Sequence, residues 1–169
     1  MIKKYTVGLS FIAVAALFLS CNSREVEING VVWAVNNNRN FQTAHEPYGD
    51  YYYFQTAQLN CPEGWRTPTE AEFQRLVDSG SEWTTVKGVP GRLFGSGDNT
   101  LFLPAGGRAD PDLMKGWGEW DKKDITLLDT CGYYWGNEDF CMLCFTKEIV
   151  HVVHTNFYTA AFSVRCVKE

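Results

Sequence analysis

The stretch CPEGWRTPTEAEFQRLVDSG, Cys61 to Gly80, carries the clearest helix signal in the chain. Thr67 is placed to cap an N-terminus with its side-chain oxygen. Pro68 suits the first helical position, where a missing N–H leaves nothing unpaired. Glu70 stands three residues after Thr67, as a capping box requires. Phe73, Leu76 and Val77 follow at helical spacing, so one face is apolar and must pack against the rest of the domain. Gly80 supplies a stop. The pattern predicts one main helix over about residues 67–79.

The segments on either side read as short strands. Val26 to Val35 predicts a β-hairpin, with Asn29-Gly30 as the turn between two apolar runs. Asn36 to Asn40 is a polar loop. Tyr48 to Phe54 is a strand or an aromatic loop over the core; a tyrosine cluster also makes good contact surface, although packing explains it more simply. After the helix, Ser81 to Gly88 is a short strand or extended loop. Gly88, Pro90, Gly91, Gly95 and Gly97 then interrupt regular structure. Thr100 to Pro104 is an apolar strand ended by its proline. Gly106 to Lys123 is a long loop holding Trp117 and Trp120, of a length that is usually functional or closely packed. Strands are expected at Gly132–Gly136, Phe140–Lys147, Ile149–His154 and Phe162–Val167. The sum is an α+β domain of short antiparallel sheets, one main helix and long loops, without internal repeats.

A chain of 169 residues with 15% aromatic side chains suits one compact domain. Its formal charge is −5, and −7 without Lys3 and Lys4, so nucleic acid is not an expected partner. Residues 1–20 read as a signal peptide: Lys3 and Lys4 form the charged start, and the apolar run Tyr5 to Leu19 is short for a membrane span. Ser20-Cys21 resembles the end of a bacterial lipoprotein signal, although Phe18 replaces the usual leucine. Cys21 is then the lipidated residue, carrying acyl chains such as palmitate. An ordinary secretory signal is the alternative. Residues 21–27 become a lipid-anchored tether and residues 28–169 the domain. The compartment is the cell envelope, where disulfides form.

Five ordered blocks carry a family resemblance. They are Asn29-Gly30-Val31-Val32-Trp33-Ala34; Cys61-Pro-Glu-Gly-Trp-Arg-Thr-Pro-Thr-Glu-Ala-Glu-Phe73; Gly88-Val89-Pro90-Gly91-Arg92-Leu93-Phe94; Leu101-Phe102-Leu103-Pro104-Ala105-Gly106-Gly107; and Gly132-Tyr133-Tyr134-Trp135 with Phe162-Ser163-Val164-Arg165-Cys166-Val167. Together they resemble the Fibrobacter succinogenes major paralogous domain, common in Bacteroidetes envelope proteins. The resemblance implies a C-type-lectin-like fold, related to that of formylglycine-generating enzymes and of receptor-binding proteins. It also implies a bridge between Cys61 and Cys166, which flank these blocks. It implies no settled activity. Lipoproteins exported to the surface in this group carry an acidic cluster after the lipidated cysteine. Here Glu25 and Glu27 are split by Val26 and preceded by Arg24, which leaves the face of the outer membrane open.

Cys131, Cys141 and Cys144 have no place in that pattern. With Asn137-Glu138 as a hairpin turn, Gly136 faces Asp139 and Cys131 faces Cys144, at a Cα separation of about 4.5 Å that a disulfide can span. Cys141 is then left over as a small buried side chain. Cys141 and Cys144 are three apart on a strand and point to opposite faces, which argues against a redox or zinc motif. The same spacing separates His151 from His154, and His45 is remote, so no metal-ligand set emerges. Trp135-Gly136-Asn137-Glu138-Asp139 resembles the Trp-Asn-Asp calcium motif of lectins. The inserted Gly136 and the missing Glu-Pro-Asn partner favour a plain turn, and no cofactor is expected. Asp110 and Asp112, beside Arg108 in the long loop, read as solvated charges.

The expected function is non-catalytic binding or adhesion, with a glycan or an envelope or host protein as partner. Tyr133, Asn137, Asp139, His154, Asn156 and Tyr158, polar or aromatic residues near strand ends, are the candidate contacts. The alternatives are an oxidase like the formylglycine-generating enzymes, which needs a paired active cysteine and usually copper, and a structural subunit of a surface assembly.

Overall fold

The computed structural model describes residues 25–39, 47–109, 124–156 and 159–169. The signal segment, Cys21, His45, Asp110, Asp112, Trp117, Trp120 and Tyr158 lie outside the described residues. The architecture is α+β, built from short antiparallel strands and few helices.

The predicted hairpin forms β1 (Glu25–Ile28) and β2 (Val31–Ala34). Its turn residues Asn29 and Gly30 both take positive φ, 48° and 76°, the conformation that an Asn-Gly turn supplies. The chain's last strand, β12 (Val167–Lys168), pairs with β2 on one side and with β3 (Trp65–Arg66) on the other. Both ends of the domain therefore meet in one four-stranded sheet. A short helix, α1 (Phe54–Ala57), precedes β3. The expected Cys61–Cys166 disulfide is present, with Cα atoms 5.9 Å apart, and it ties the approach to the main helix to this sheet.

The main helix, α2, spans Glu70–Asp78. It starts later than expected. Thr69, not Thr67, is the N-cap, and the reciprocal box is made with Glu72 instead of Glu70. Both threonines precede a glutamate by three residues, so local sequence does not choose between them. Tertiary contacts do. Glu72 takes a bidentate pair from Arg66, with both N–O distances at 2.8 Å. Thr67 is buried and donates to Gln58 Oε1. Burial raises the Glu72 carboxyl, but Arg66 and the Thr69 backbone N–H outweigh it and hold the group below its ordinary value. Phe73 and Leu76 are fully buried as the periodicity predicts, and Gly80 follows the Ser79 C-cap with φ +80°.

The glycine-rich stretch after α2 does not interrupt structure. It forms a meander of β4 (Ser81–Val86), β5 (Val89–Ser96) and β6 (Asn99–Pro104). Lys87 and Gly88 turn the first hairpin with φ of 50° and 85°. Gly91 sits inside β5 because a Cβ there would lie 2.3 Å from the Leu103 carbonyl oxygen. Arg108–Ala109 (β7) pairs with Ile125–Thr126 (β8).

The third sheet has the order β11 (Val150–His154), β10 (Cys141–Phe145), β9 (Gly132–Trp135). Its strands β9 and β10 are buried on both faces, β11 forms a partly exposed edge, and the alternation separates two core clusters. Tyr134, Cys141, Leu143 and Phe145 pack with Trp33, Phe73, Leu76, Phe94, Leu101 and Leu103. Trp135 and Met142 pack with Tyr52, Ala57, Phe162, Val164 and Cys166. The tyrosine stretch contributes core as well: Tyr51 and Tyr52 are buried, and Tyr52 forms a single bridge with Phe162. The predicted strand at Phe162–Val167 is reduced to isolated bridges before β12.

The expected Cys131–Cys144 disulfide is not formed. Cys131, Cys141 and Cys144 are free thiols. Gly136 faces Cys141 across a four-residue loop, because Asp139 and Phe140 both adopt positive φ (35° and 56°) and close the turn two residues later than assumed. Cys144 is thereby placed opposite Tyr133, and Cys131 becomes its diagonal neighbour instead of its partner.

Candidate functional site

Arg165 follows Val164 and precedes the bridged Cys166, and the residue is 1% exposed. It crosses the interior to join three segments far apart in sequence. Nε and Nη2 both donate to Asn37 Oδ1, at 2.9 and 2.6 Å. Nη1 donates to the Ala34 carbonyl and Nη2 to the Phe102 carbonyl. Asn37 donates in turn to the Tyr48 carbonyl and to the Tyr134 hydroxyl, which itself donates to the Pro104 carbonyl. Every acceptor is neutral, so among the described residues no carboxylate compensates the buried cation. Burial accordingly pushes the guanidinium down to about 10 and the Tyr134 phenol up to about 12. The guanidinium is therefore still charged at neutral pH.

This network floors a surface pocket of about 500 Å³. Val86, Lys87 and Val89 line one wall from the β4–β5 hairpin, and Phe102 and Pro104 line another from β6. Val35, Asn36, Asn37, Arg39 and Pro47 complete the described lining. The volume is in the range of small-molecule sites, and the lining has the usual character of apolar walls with a few fixed polar groups. Arg165, Arg39 and Lys87 are the charged residues among its described lining.

Reasoning from sequence did not single out this pocket. The sequence places Asn37 and Asn38 in a polar loop, yet both are buried. A usable signal was present: a lone arginine in the otherwise apolar and small run from Ala160 to Val167 must find acceptors if that run is buried.

The expected contact residues are only partly gathered. Asn137, Asp139 and His154 meet at the start of α2, where they serve docking of the β9–β10 loop. The Asn137 N–H donates to the Pro68 carbonyl, and Gln58 donates to the Gly136 carbonyl. Among the described residues the buried Asn137 Oδ1 has no hydrogen-bond partner. His154 places Nδ1 3.0 Å from the Asp139 carbonyl oxygen and Nε2 3.1 Å from Glu70 Oε2. Asn156 is exposed beyond β11. Tyr133 lies apart, half-buried and stacked on Phe162 at 5.2 Å. Burial, then Cys131, pushes its phenol up to about 12. Among the described residues no three His, Cys, Asp or Glu side chains converge on a common metal position.

The Asp139 carbonyl, followed by Glu70, raises the His154 imidazolium above its ordinary value. A raised folded-state pKa means that the contribution of His154 to stability is fully present below the unfolded value of about 6.5 and is lost as pH rises through the folded one. An NMR titration of His154 is expected to give a midpoint above that of a free histidine, and Glu70→Gln to lower it. An unchanged midpoint in the variant contradicts the pairing.

The three free thiols differ in setting. Cys141 is fully buried, and burial, with Glu70 and Glu138 nearby, pushes its thiol up to about 12. Burial and Cys131 raise the half-buried Cys144 as well. Neither carries the lowered pKa that thiolate chemistry at neutral pH uses.

No family model, curated protein or solved structure matches the chain. No helix among the described residues is long and apolar enough to cross a membrane.

Proposed function

We propose that this chain is a lipid-anchored cell-envelope protein whose domain binds a glycan or a protein partner without catalysing a reaction, in the outer membrane of a Gram-negative bacterium. The observation that carries the reading is the pocket over Arg165, with apolar walls and polar groups held fixed from below. Preorganised side chains of this kind reduce the ordering cost of binding. The ending Ser20-Cys21 after an apolar run supports the lipid anchor, and the long-range disulfide supports an oxidising compartment. The presence of the first and last strands in one sheet, on either side of β2, beside a helix and long connections, is compatible with a C-type-lectin-like domain of the Fibrobacter succinogenes major paralogous type.

The oxidase alternative needs a pair of accessible, activated cysteines. Cys141 is buried with a raised thiol, so it does not support that reading.

The test is a glycan-array screen of the full chain in detergent, with and without calcium. Selective binding is the expected result, and calcium dependence would return Asn137, Glu138 and Asp139 to consideration as ligands. A blank array moves the ligand to a protein, sought by retention from envelope extracts. Absence of any specific partner in both experiments rejects the binding reading.

A further inference from the structure

We propose that the outer edge of β11 pairs with the same edge of a second copy of this chain, giving an antiparallel dimer whose twofold axis passes through Val152.

The register identifies the backbone groups that would join. In an antiparallel pair, residues that exchange hydrogen bonds alternate with residues that do not. The Thr146 N–H donates to the Ile149 carbonyl and the Thr155 N–H to the Phe140 carbonyl, so within β11 the residues bonded to β10 are His151 and Val153. Val150, Val152 and His154 therefore turn their N–H and C=O groups away from β10. Among the described residues no backbone hydrogen bond reaches those outward groups.

The other sheet edges carry guards that β11 lacks. Folded domains blunt an exposed edge with charges, proline, short strands or a covering segment. β1 has Glu25 and Glu27, β3 has two residues, and β4 has Glu82. β6 ends in Pro104, and its Phe102 carbonyl accepts from Arg165. β9 is bridged to Gly107 and Ser163. β11 reads Val-His-Val-Val-His, without proline, lysine or a carboxylate, and its three valines favour an extended strand.

A second copy fits this edge in one register. With Val152 opposite Val152 of the other copy, Val150 stands opposite His154 at both ends, and every outward N–H and C=O of β11 finds a partner. Moving the pairing by two residues strands part of that set, and moving it by one sets outward groups against inward ones. The facing valines make a favourable β-branched pair at a Cα separation of about 5.5 Å. The charges agree as well. His154 faces Val150 and His151 faces Val153, so no histidine meets another. Glu148, exposed in the turn before β11, comes diagonal to His154 of the other copy, whose charged form the Asp139 carbonyl and Glu70 already favour. α2 lies against Val150 and Val152, so the two copies of α2 stand on one face of a continuous sheet, on either side of the axis.

The experiment uses the full chain in detergent with micelles in excess. Pairing through one short strand belongs to the weak class of interfaces, so monomer and dimer should exchange. Sedimentation over about a hundredfold range of concentration is expected to pass from monomer to dimer. Amide hydrogen exchange across the same range locates the contact. Val150, Val152 and His154 should slow by about tenfold or more in the dimer, while His151 and Val153, bonded to β10, keep one rate throughout. Val152→Pro removes an outward N–H and no bond to β10, so it should stay monomeric with His151 still protected. Where that variant does not fold, the exchange pattern of the wild type decides alone. A monomer at every concentration overturns the proposal, as does a dimer in which the three outward amides exchange as fast as on dilution. An envelope protein retained by a monomeric wild type and lost in Val152→Pro also overturns it, and gives the edge to an extended segment of that protein. None of these outcomes bears on the pocket over Arg165.

Discussion

Replacing Cys61 and Cys166 together by alanine is expected to lower the stability of the domain by about 4–5 kcal/mol. The bridge closes a separation of 105 residues, most of the domain. In the unfolded chain it removes the freedom of a very long loop, and the entropy of loop closure grows with the logarithm of that length. A domain of this size has about 5–15 kcal/mol in total, so the variant should lie near the edge of folding at 37 °C. The native side supports the same direction. Cys166 is 3% exposed in the cluster with Trp135, Phe162 and Val164, so losing its sulfur also thins the packing there. Equilibrium urea unfolding of the oxidised wild type against the double variant measures the difference. A loss below about 1 kcal/mol would mean that the unfolded chain is already restrained without the bridge.

Much of this architecture was legible because several signals were local. Asn29-Gly30 dictates its turn, and the apolar spacing of Phe73, Leu76 and Val77 dictates the helix face. Strands β9, β10 and β11 follow from apolar runs of the right length. Other features depend on distant residues, and there local reading failed. The helix start was a choice between two threonines of equal local merit, decided by Arg66 and Gln58. The β9–β10 register turned on whether two non-glycine residues would accept positive φ, which Asp139 and Phe140 do. β5 was hidden because Pro90, Gly91 and Gly95 look like breakers. Their strand conformation is imposed by pairing with β4 and β6 on both sides.

The pocket was the least legible part, for the same reason in stronger form. Arg165 and Asn37 are 128 residues apart, and neither has a spacing or motif that points to the other. The residues that do have such spacings, Asn137, Asp139 and His154, turn out to dock a loop on a helix. Motif reasoning favours groups close in sequence, whereas this pocket is made where the two ends of the domain and the meander meet. Only the topology brings them together.

Arg165→Leu is expected to destabilise the domain by roughly 3–5 kcal/mol, although leucine suits a buried position. The substitution removes the donors that satisfy Asn37 Oδ1 and the carbonyls of Ala34 and Phe102. Each buried acceptor left without a donor costs about 1–3 kcal/mol, partly offset by removing the cost of burying a charge. Arg165→Lys keeps that charge but offers a single nitrogen in place of a three-nitrogen fork. It cannot reach Asn37 and both carbonyls in the same geometry, so it should recover only part of the loss. Asn37→Ala should be milder than Arg165→Leu, because the guanidinium keeps its two carbonyl acceptors. Urea unfolding of the three variants gives the order, with Arg165→Leu the least stable. If Arg165→Leu instead stays within about 1 kcal/mol of wild type, the guanidinium is not a structural girder. The same series therefore separates the two roles: a girder shows in unfolding without ligand, whereas a part in the binding site shows only in binding by variants that remain folded.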